Sequence, residues 1–335
     1  MRLSVLDHTP INEGESSQAA FRRTIALAGK AEEWGYHRFW LSEHHFSSES
    51  VGTAPEIVIA HLLAKTNYIR LGSGGVMLQH YSPYKVAEQF HVLDALGPGR
   101  VDLGIGRAPG GLPLSTLALQ AQQDGTSASL NEKLQILLYF LQDNLPEQHP
   151  LYGLRALPAP SAPIPVFTLG TSQSSAELAA RSGTAYVFAQ FINSDETELS
   201  RALESYRKEF DIGAGQRSPY VIAAVSVVVA DTDEEAQILV SSDKNYRVTL
   251  EDGKKINVGH LDKAKQFIRE SGQLGTIEVS EKKVFAGKPE NVRDELYAFQ
   301  EETGIDELMI VTKVKDQNKR MRSFQLLAEA ILANV

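Results

Sequence analysis

Not one of the 335 residues is a cysteine. That removes disulfides, zinc–cysteine sites and thiol nucleophiles together. Long apolar runs are missing too: none reaches the roughly 18 residues of a membrane-spanning helix. The start, "MRLSVLDHTP", turns polar too soon for a secretory signal. Basic charge is scarce. Against 42 Asp and Glu stand 33 Lys and Arg, a net charge of -9, with no basic stripe. Neither nucleic acid nor a membrane is expected as a partner, and a cytoplasmic location is the expectation. No linker rich in Gly, Ser or Pro divides the chain in two.

What the chain does have is alternation. Short apolar runs at 2–6, 37–42, 69–78, 100–106, 164–170, 185–191, 220–230 and 306–314 read as strands. Longer amphipathic runs at 19–35, 54–66, 82–99, 130–142, 174–183, 195–210, 233–242, 288–304 and 318–335 read as helices. Strands each eventually followed by a helix are parallel strands with crossover helices. Eight of them over this length predict one α/β domain spanning 1–335, a (β/α)8 TIM barrel, in preference to a doubly wound sheet with a second domain. Two stretches, about 107–129 and 243–287, lack clear periodicity. They are expected as insertions on the C-terminal face, the second as a lid or a plain surface excursion.

Barrel chemistry collects at the C-terminal ends of the strands. "WLSEHHF" puts Glu43, His44 and His45 there. Three readings stand: metal ligation, polar groups satisfying a loop, or acid–base work, which suits a group titrating near neutrality. Successive strand residues point to opposite faces, which disfavours a metal. "GSGG" (72–75) breaks a good strand. Gly74 and Gly75 fit either a bulge or the close approach of a planar ligand. In "LGTSQSSAELAA", Gly170 ends a strand, and Thr171, Ser172, Ser174 and Ser175 lead into a helix. Free N–H groups and hydroxyls at a helix start suit a phosphate; the plain alternative is a serine cap. "LGIGRAPGG" is no dinucleotide fingerprint, because its third glycine comes one residue late and Pro109 interrupts it. Arg107, just past a strand end, is a candidate anion ligand.

Together, "FWLSEHHF", "RLGSGGVML", "GRVDLGIGR", "GTSQSSAELAARSG" and the late "GKPENV" resemble the bacterial luciferase-like flavin-dependent monooxygenases. The resemblance runs from residue 1 to about 330, and is nearest to a bacterial branch of mostly uncharacterised proteins. It implies a barrel with FMN at its C-terminal mouth. Reduced FMN would come from a separate NAD(P)H:flavin reductase and react with O2 to oxygenate a small organic substrate. His44 matches a catalytic histidine and Glu43 an acidic neighbour of the flavin ring; Glu43 and His45 are then expected to orient His44 or contact the cofactor. Gly74 and Gly75 match a non-prolyl cis peptide under the isoalloxazine. Arg107, Thr171 and Ser174 match phosphate ligands, with Ser172 and Ser175 as helpers at the loop that Gly170 opens. The luciferase α subunit has cysteine and glutamate where this chain has Gly106 and Gly170, which speaks against light emission and an aldehyde substrate. The family also implies a homodimer, and the apolar residues of helix 54–66 are the expected interface. The alternatives are a flavin-binding protein with little turnover, an F420-dependent oxidoreductase on the same barrel, and a metal hydrolase using His44 and His45.

Overall fold

The chain lays down β1 (Arg2–Asp7), β2 (Arg38–Leu41), β3 (Arg70–Ser73), β4 (Val101–Gly106), β5 (Val166–Gly170), β6 (Ala185–Ala189) and β7 (Val221–Val229). Then follow β8 (Lys244–Leu250), β9 (Lys255–Val258), β10 (Gly275–Glu281), β11 (Val284–Gly287) and β12 (Glu307–Val311). The structure, a computed structural model, describes residues 1–121, 128–160, 162–212, 218–240, 244–253, 255–258 and 261–333. Strands β1 to β7 pair in parallel in sequence order. β12 pairs with both β1 and β7, and so closes an eight-stranded (β/α)8 barrel.

Helices cover the outside: α1 (Ser17–Glu33), α2 (Pro55–Leu63), α3 (Pro83–Leu96), α4 (Pro113–Leu119), α5 (Leu130–Gln142), α6 (Gln173–Arg181), α7 (Glu196–Glu209), α8 (Asp233–Val240), α9 (Leu261–Ser271), α10 (Pro289–Thr303) and α11 (Gln317–Ile331). Local chemistry sets their ends. Ser129 Oγ accepts from Glu132 N–H while Glu132 reaches back to Ser129 N–H, a reciprocal cap at the start of α5. Gly304, at φ 62°, takes the left-handed turn that stops α10.

Period-two alternation divides the core. Leu6, Trp40, Phe167, Val187, Ile222 and Met309 fill the barrel interior. Their neighbours Val5, Phe39 and Val221 pack outward with the helices. Below that layer Arg38 is buried, Nη1 2.7 Å from Asp102 Oδ2 and Nε 3.1 Å from Glu307. Ser4, Tyr220 and His37 also hydrogen-bond Glu307. Burial alone would raise the Glu307 carboxyl, but these hydrogen bonds and the Arg38 charge hold it down at about 2.

The eight expected strands are the eight barrel strands. The strand expected over 69–78 is shorter: it ends at Ser73, and a 3-10 turn follows at Leu78–His80. The stretch 243–287 holds more structure than its weak periodicity suggested. β8, β9 and β10 form a three-stranded antiparallel sheet, and α9 packs Ala264 and Phe267 against Val248 and Leu250. β11 pairs in parallel with the second half of β7. Within the other stretch, α4 spans Pro113–Leu119, and residues 122–127 lie outside the described residues. The ends of the helices expected over 233–242 and 318–335 likewise lie outside them, at 241–242 and 334–335.

Candidate active site

Strand register assembles the first part of the site. Leu6 pairs with Trp40 across β1 and β2, both facing the barrel interior. Two residues further on, the same faces carry His8 and Ser42. His8 Nδ1 lies 2.8 Å from Ser42 Oγ, which lies 3.0 Å from His44 Nδ1. The two imidazoles meet edge to face at 5.5 Å, and Phe191 packs against His8 at the same distance. His8 Nε2 is buried with no hydrogen-bond partner among the described residues. Burial, with help from the charges of Lys313 and Lys263, pushes His44 down to about 4, against an opposing pull from Glu43. His8 is pushed well below its ordinary value by burial, then by His44, Lys313 and Arg320. Both rings are therefore neutral at pH 7.

Glu43 turns the other way. It is 1% exposed, and its Oε1 accepts from Tyr81 O–H and lies 2.7 Å from His45 Nε2. Its Oε2 accepts from Met77 N–H at 3.1 Å. Glu43 thus ties the end of β2 to the segment that follows β3. The backbone N–H groups of His44 and His45 donate to Gly52 O and Gly110 O at 2.8 and 2.7 Å. Both rings are held by their main chain as well as by side-chain partners.

That segment after β3 begins with a cis peptide bond between Gly74 and Gly75. A Cβ on Gly74 would come within 2.6 Å of Leu6 Cδ1, and one on Gly75 within 2.7 Å of Gly104 O. The backbone of β4 therefore demands glycine at 75, whereas at 74 the close atom is the movable end of Leu6.

At the ends of β4 and β5, Arg107 Nη1 donates to Ser174 Oγ at 3.1 Å, and Ser174 Oγ lies 3.0 Å from Ser172 Oγ. These groups surround the N-terminus of α6, where the helix dipole favours an anion; there Gln173 N–H already donates to Glu198 Oε1 at 2.8 Å and Ser172 N–H to Ser175 Oγ at 3.2 Å. Ser175 is committed differently. It is buried, donates to Ser172 O at 2.6 Å and lies 3.0 Å from Tyr186 Oη. A Cβ on Gly170 would overlap Ser175 Oγ, so Gly170 makes room for that cap. Asn193 Nδ2 holds Thr171 O at 2.9 Å.

Comparison with known proteins decides the family. Residues 1–307 match the model described as luciferase-like monooxygenase. This chain belongs to the luciferase-like monooxygenase family. It is 43% identical over 335 residues to the N-acetyl-S-alkylcysteine monooxygenase of Bacillus subtilis strain 168, covering 99% of each chain. Among solved structures it is similar to apo-MsnO8, with TM-score 0.79, 34% identity and coverage of 98% and 97% of the two chains. At fold level alone, the barrel also resembles an FMN complex of the oxygenating constituent of 3,6-diketocamphane monooxygenase from Pseudomonas putida (TM-score 0.72, 19% identity, coverage 100% and 98%). It resembles as well an F420-dependent secondary alcohol dehydrogenase (TM-score 0.65, 16% identity, coverage 98% of both chains).

In this luciferase-like monooxygenase the sequence-expected residues fall into two groups. Glu43, His44, His45, Gly74 and Gly75 gather where β2 and β3 end. Arg107, Gly170, Thr171, Ser172, Ser174 and Ser175 gather where β4 and β5 end. Among the described residues, no group of three or more His, Asp or Glu could hold a metal ion. Sequence reasoning missed His8, Ser42, Tyr81 and Gln190. Gln190 follows β6, is 2% exposed, and neither atom of its amide has a partner. The signal for His8 and Ser42 was present: each stands two residues beyond an interior apolar residue.

Proposed function

We propose that this chain is the oxygenase of a two-component flavin system. It takes reduced FMN from a separate NAD(P)H:flavin reductase in the cytoplasm and uses O2 to oxygenate a small organic substrate. The observation that carries this reading is the donor set at the start of α6. A guanidinium and two hydroxyls beside a helix N-terminus suit the charge of a phosphate monoester, which would displace Glu198 from Gln173 N–H. Bound reduced FMN would supply the activation of O2. Arg107, Ser172, Ser174 and Thr171 would hold its phosphate, and the Gly74–Gly75 segment would support its ring.

The chain's own residues do the rest. Neutral His44, with Nδ1 occupied by Ser42, offers Nε2 as a proton acceptor at the reacting edge. Glu43 fixes the segment after Gly75 through Met77 N–H, and with Tyr81 it orients His45. The buried residues around His8 and His44 keep bulk water from the reacting centre. N-acetyl-S-alkylcysteines are the first substrates to assay, since the 43% identical relative is named for them.

Oxygen uptake tests this. The protein, a flavin reductase, NADH and FMN should consume O2 and yield an oxygenated N-acetyl-S-alkylcysteine or another thioether. Tight binding of F420 with none of FMN would overturn the cofactor assignment. FMN binding with no substrate-dependent product from any thioether, sulfonate or ketone tried would point to a flavin-binding protein with little turnover.

A further inference from the structure

The Ser42 hydroxyl has one hydrogen, yet it stands within hydrogen-bond distance of two imidazole nitrogens, His8 Nδ1 at 2.8 Å and His44 Nδ1 at 3.0 Å. With both rings neutral, both contacts are hydrogen bonds only if Oγ donates to one Nδ1 and accepts from the other. One ring then carries its proton on Nδ1 and the other on Nε2. The two Nε2 atoms are therefore always opposite in character: one is a bare acceptor, the other an N–H donor. His8 Nε2 is buried without a partner. His44 is only part-buried, and its Nε2 makes no hydrogen bond among the described residues. A ligand group can therefore pair with it, and one that reached His8 Nε2 would relieve a buried nitrogen left without a partner.

We propose that His8, Ser42 and His44 form one neutral proton couple, in which a proton accepted at His44 Nε2 is matched by a proton released from His8 Nε2 to an oxygen of the bound reactants. This deepens the reading of His44 as a base and rests on it. The protons balance. His44 Nε2 gains one while His44 Nδ1–H passes to Ser42 Oγ. The Ser42 hydroxyl proton passes to His8 Nδ1, and His8 Nε2–H leaves. No heavy-atom bond changes, no electrons move, and neither ring ends charged. That last feature fits the surroundings. Burial first, then His44, Lys313 and Arg320, disfavours charge on His8; burial first, then Lys313, Lys263 and His45, disfavours it on His44, against the pull of Glu43. A single imidazolium would be costly in this pocket, whereas a relay through neutral rings avoids it. Oxygenation suits such a couple, because oxygen atoms gain and lose protons within one turnover. Ser42 is the positioning residue of the set, and His8 supplies the second exchangeable proton.

Nitrogen-15 NMR of histidine-labelled protein without flavin reads the couple directly. His8 and His44 should show opposite tautomers, and Ser42→Ala should remove that complementarity while Ser42→Thr keeps it. Two rings in the same tautomer would overturn the proposal. In turnover, Ser42→Ala and His8→Phe should each lower kcat about 10²-fold, with KM and FMN affinity within about threefold of the parent and Ser42→Thr restoring most of the rate. A proton inventory in mixed H2O and D2O should be curved in the parent and linear in Ser42→Ala. A linear inventory in the parent, or full activity of His8→Phe, would overturn the relay. Opposite tautomers together with a fully active His44→Ala would instead overturn the base assignment on which the relay depends. If Ser42→Ala does not fold, the tautomers and the inventory of the parent protein still decide.

Discussion

Arg107 Nη1 donates to Ser174 Oγ across 3.1 Å, joining the end of β4 to the first turn of α6. Neither residue is part of a continuous motif with the other; the parallel pairing of β4 with β5 brings them together. If the pair holds the FMN phosphate, Arg107→Ala removes a charge-assisted contact worth about 1.5–3 kcal/mol. FMN affinity should fall about 10- to 100-fold, while riboflavin, which has no phosphate, binds as before. Fluorescence titration with both ligands checks this, and an equal loss for both would remove Arg107 from the phosphate site.

His44→Ala should leave the fold and FMN affinity nearly unchanged and lower turnover by about 10²–10⁴-fold, the range for a lost general acid or base. With its folded value lowered from 6.5 to about 4, His44 stays neutral as the pH falls through 6.5. The acid limb of kcat/KM should therefore lie near pH 4. A limb at 6.5 that disappears in His44→Ala would show that the ring is not held neutral.

Glu307 makes the acid stability of the barrel predictable. Its folded value lies near 2 against an ordinary 4.5, so its contribution is complete above pH 4.5 and is lost as the pH falls towards 2. Glu307→Gln leaves Arg38 partly uncompensated and should cost about 3–5 kcal/mol at pH 7. The gap between variant and parent should close through the window from 4.5 down to 2. Urea melts across that range test it; a constant gap would mean the network is not electrostatic in origin.

Helix α2 sharpens the expectation of a homodimer. Ile59, Leu62 and Leu63 are buried within this protomer's own barrel, which accounts for most of the helix's apolar character. Ile57 remains 68% exposed, and Val92 and Leu96 on the adjacent α3 are exposed too. Ile57→Glu should shift a dimer to monomer in sedimentation velocity at micromolar concentration. A monomeric parent would remove the dimer altogether.

The barrel was legible because its signals are local. Strands buried on both faces read as short apolar runs, helices as amphipathic ones, and the number of alternations fixes the closed sheet. The placement of His44, Gly74 and Arg107 was legible because each stands close to the end of such a strand. Other features were not local. The excursion over 243–287 hid its strands because "NYRVTL" and "TIEVSE" alternate for only a few residues and pair with each other rather than with the barrel. The glycines at 74 and 75 read as a bulge or the close approach of a planar ligand; that Gly104 O crowds any side chain at 75 depends on the pairing of β3 with β4 and had no local signal. His8 and Ser42 are 34 positions apart, and nothing in either neighbourhood names the other. The sequence by itself determined the alternation of elements and the face on which each side chain lies. Only the tertiary structure decided which faces meet, because register between β1 and β2 is a pairing of distant segments, and it is that pairing which sets the Ser42 hydroxyl between two histidines.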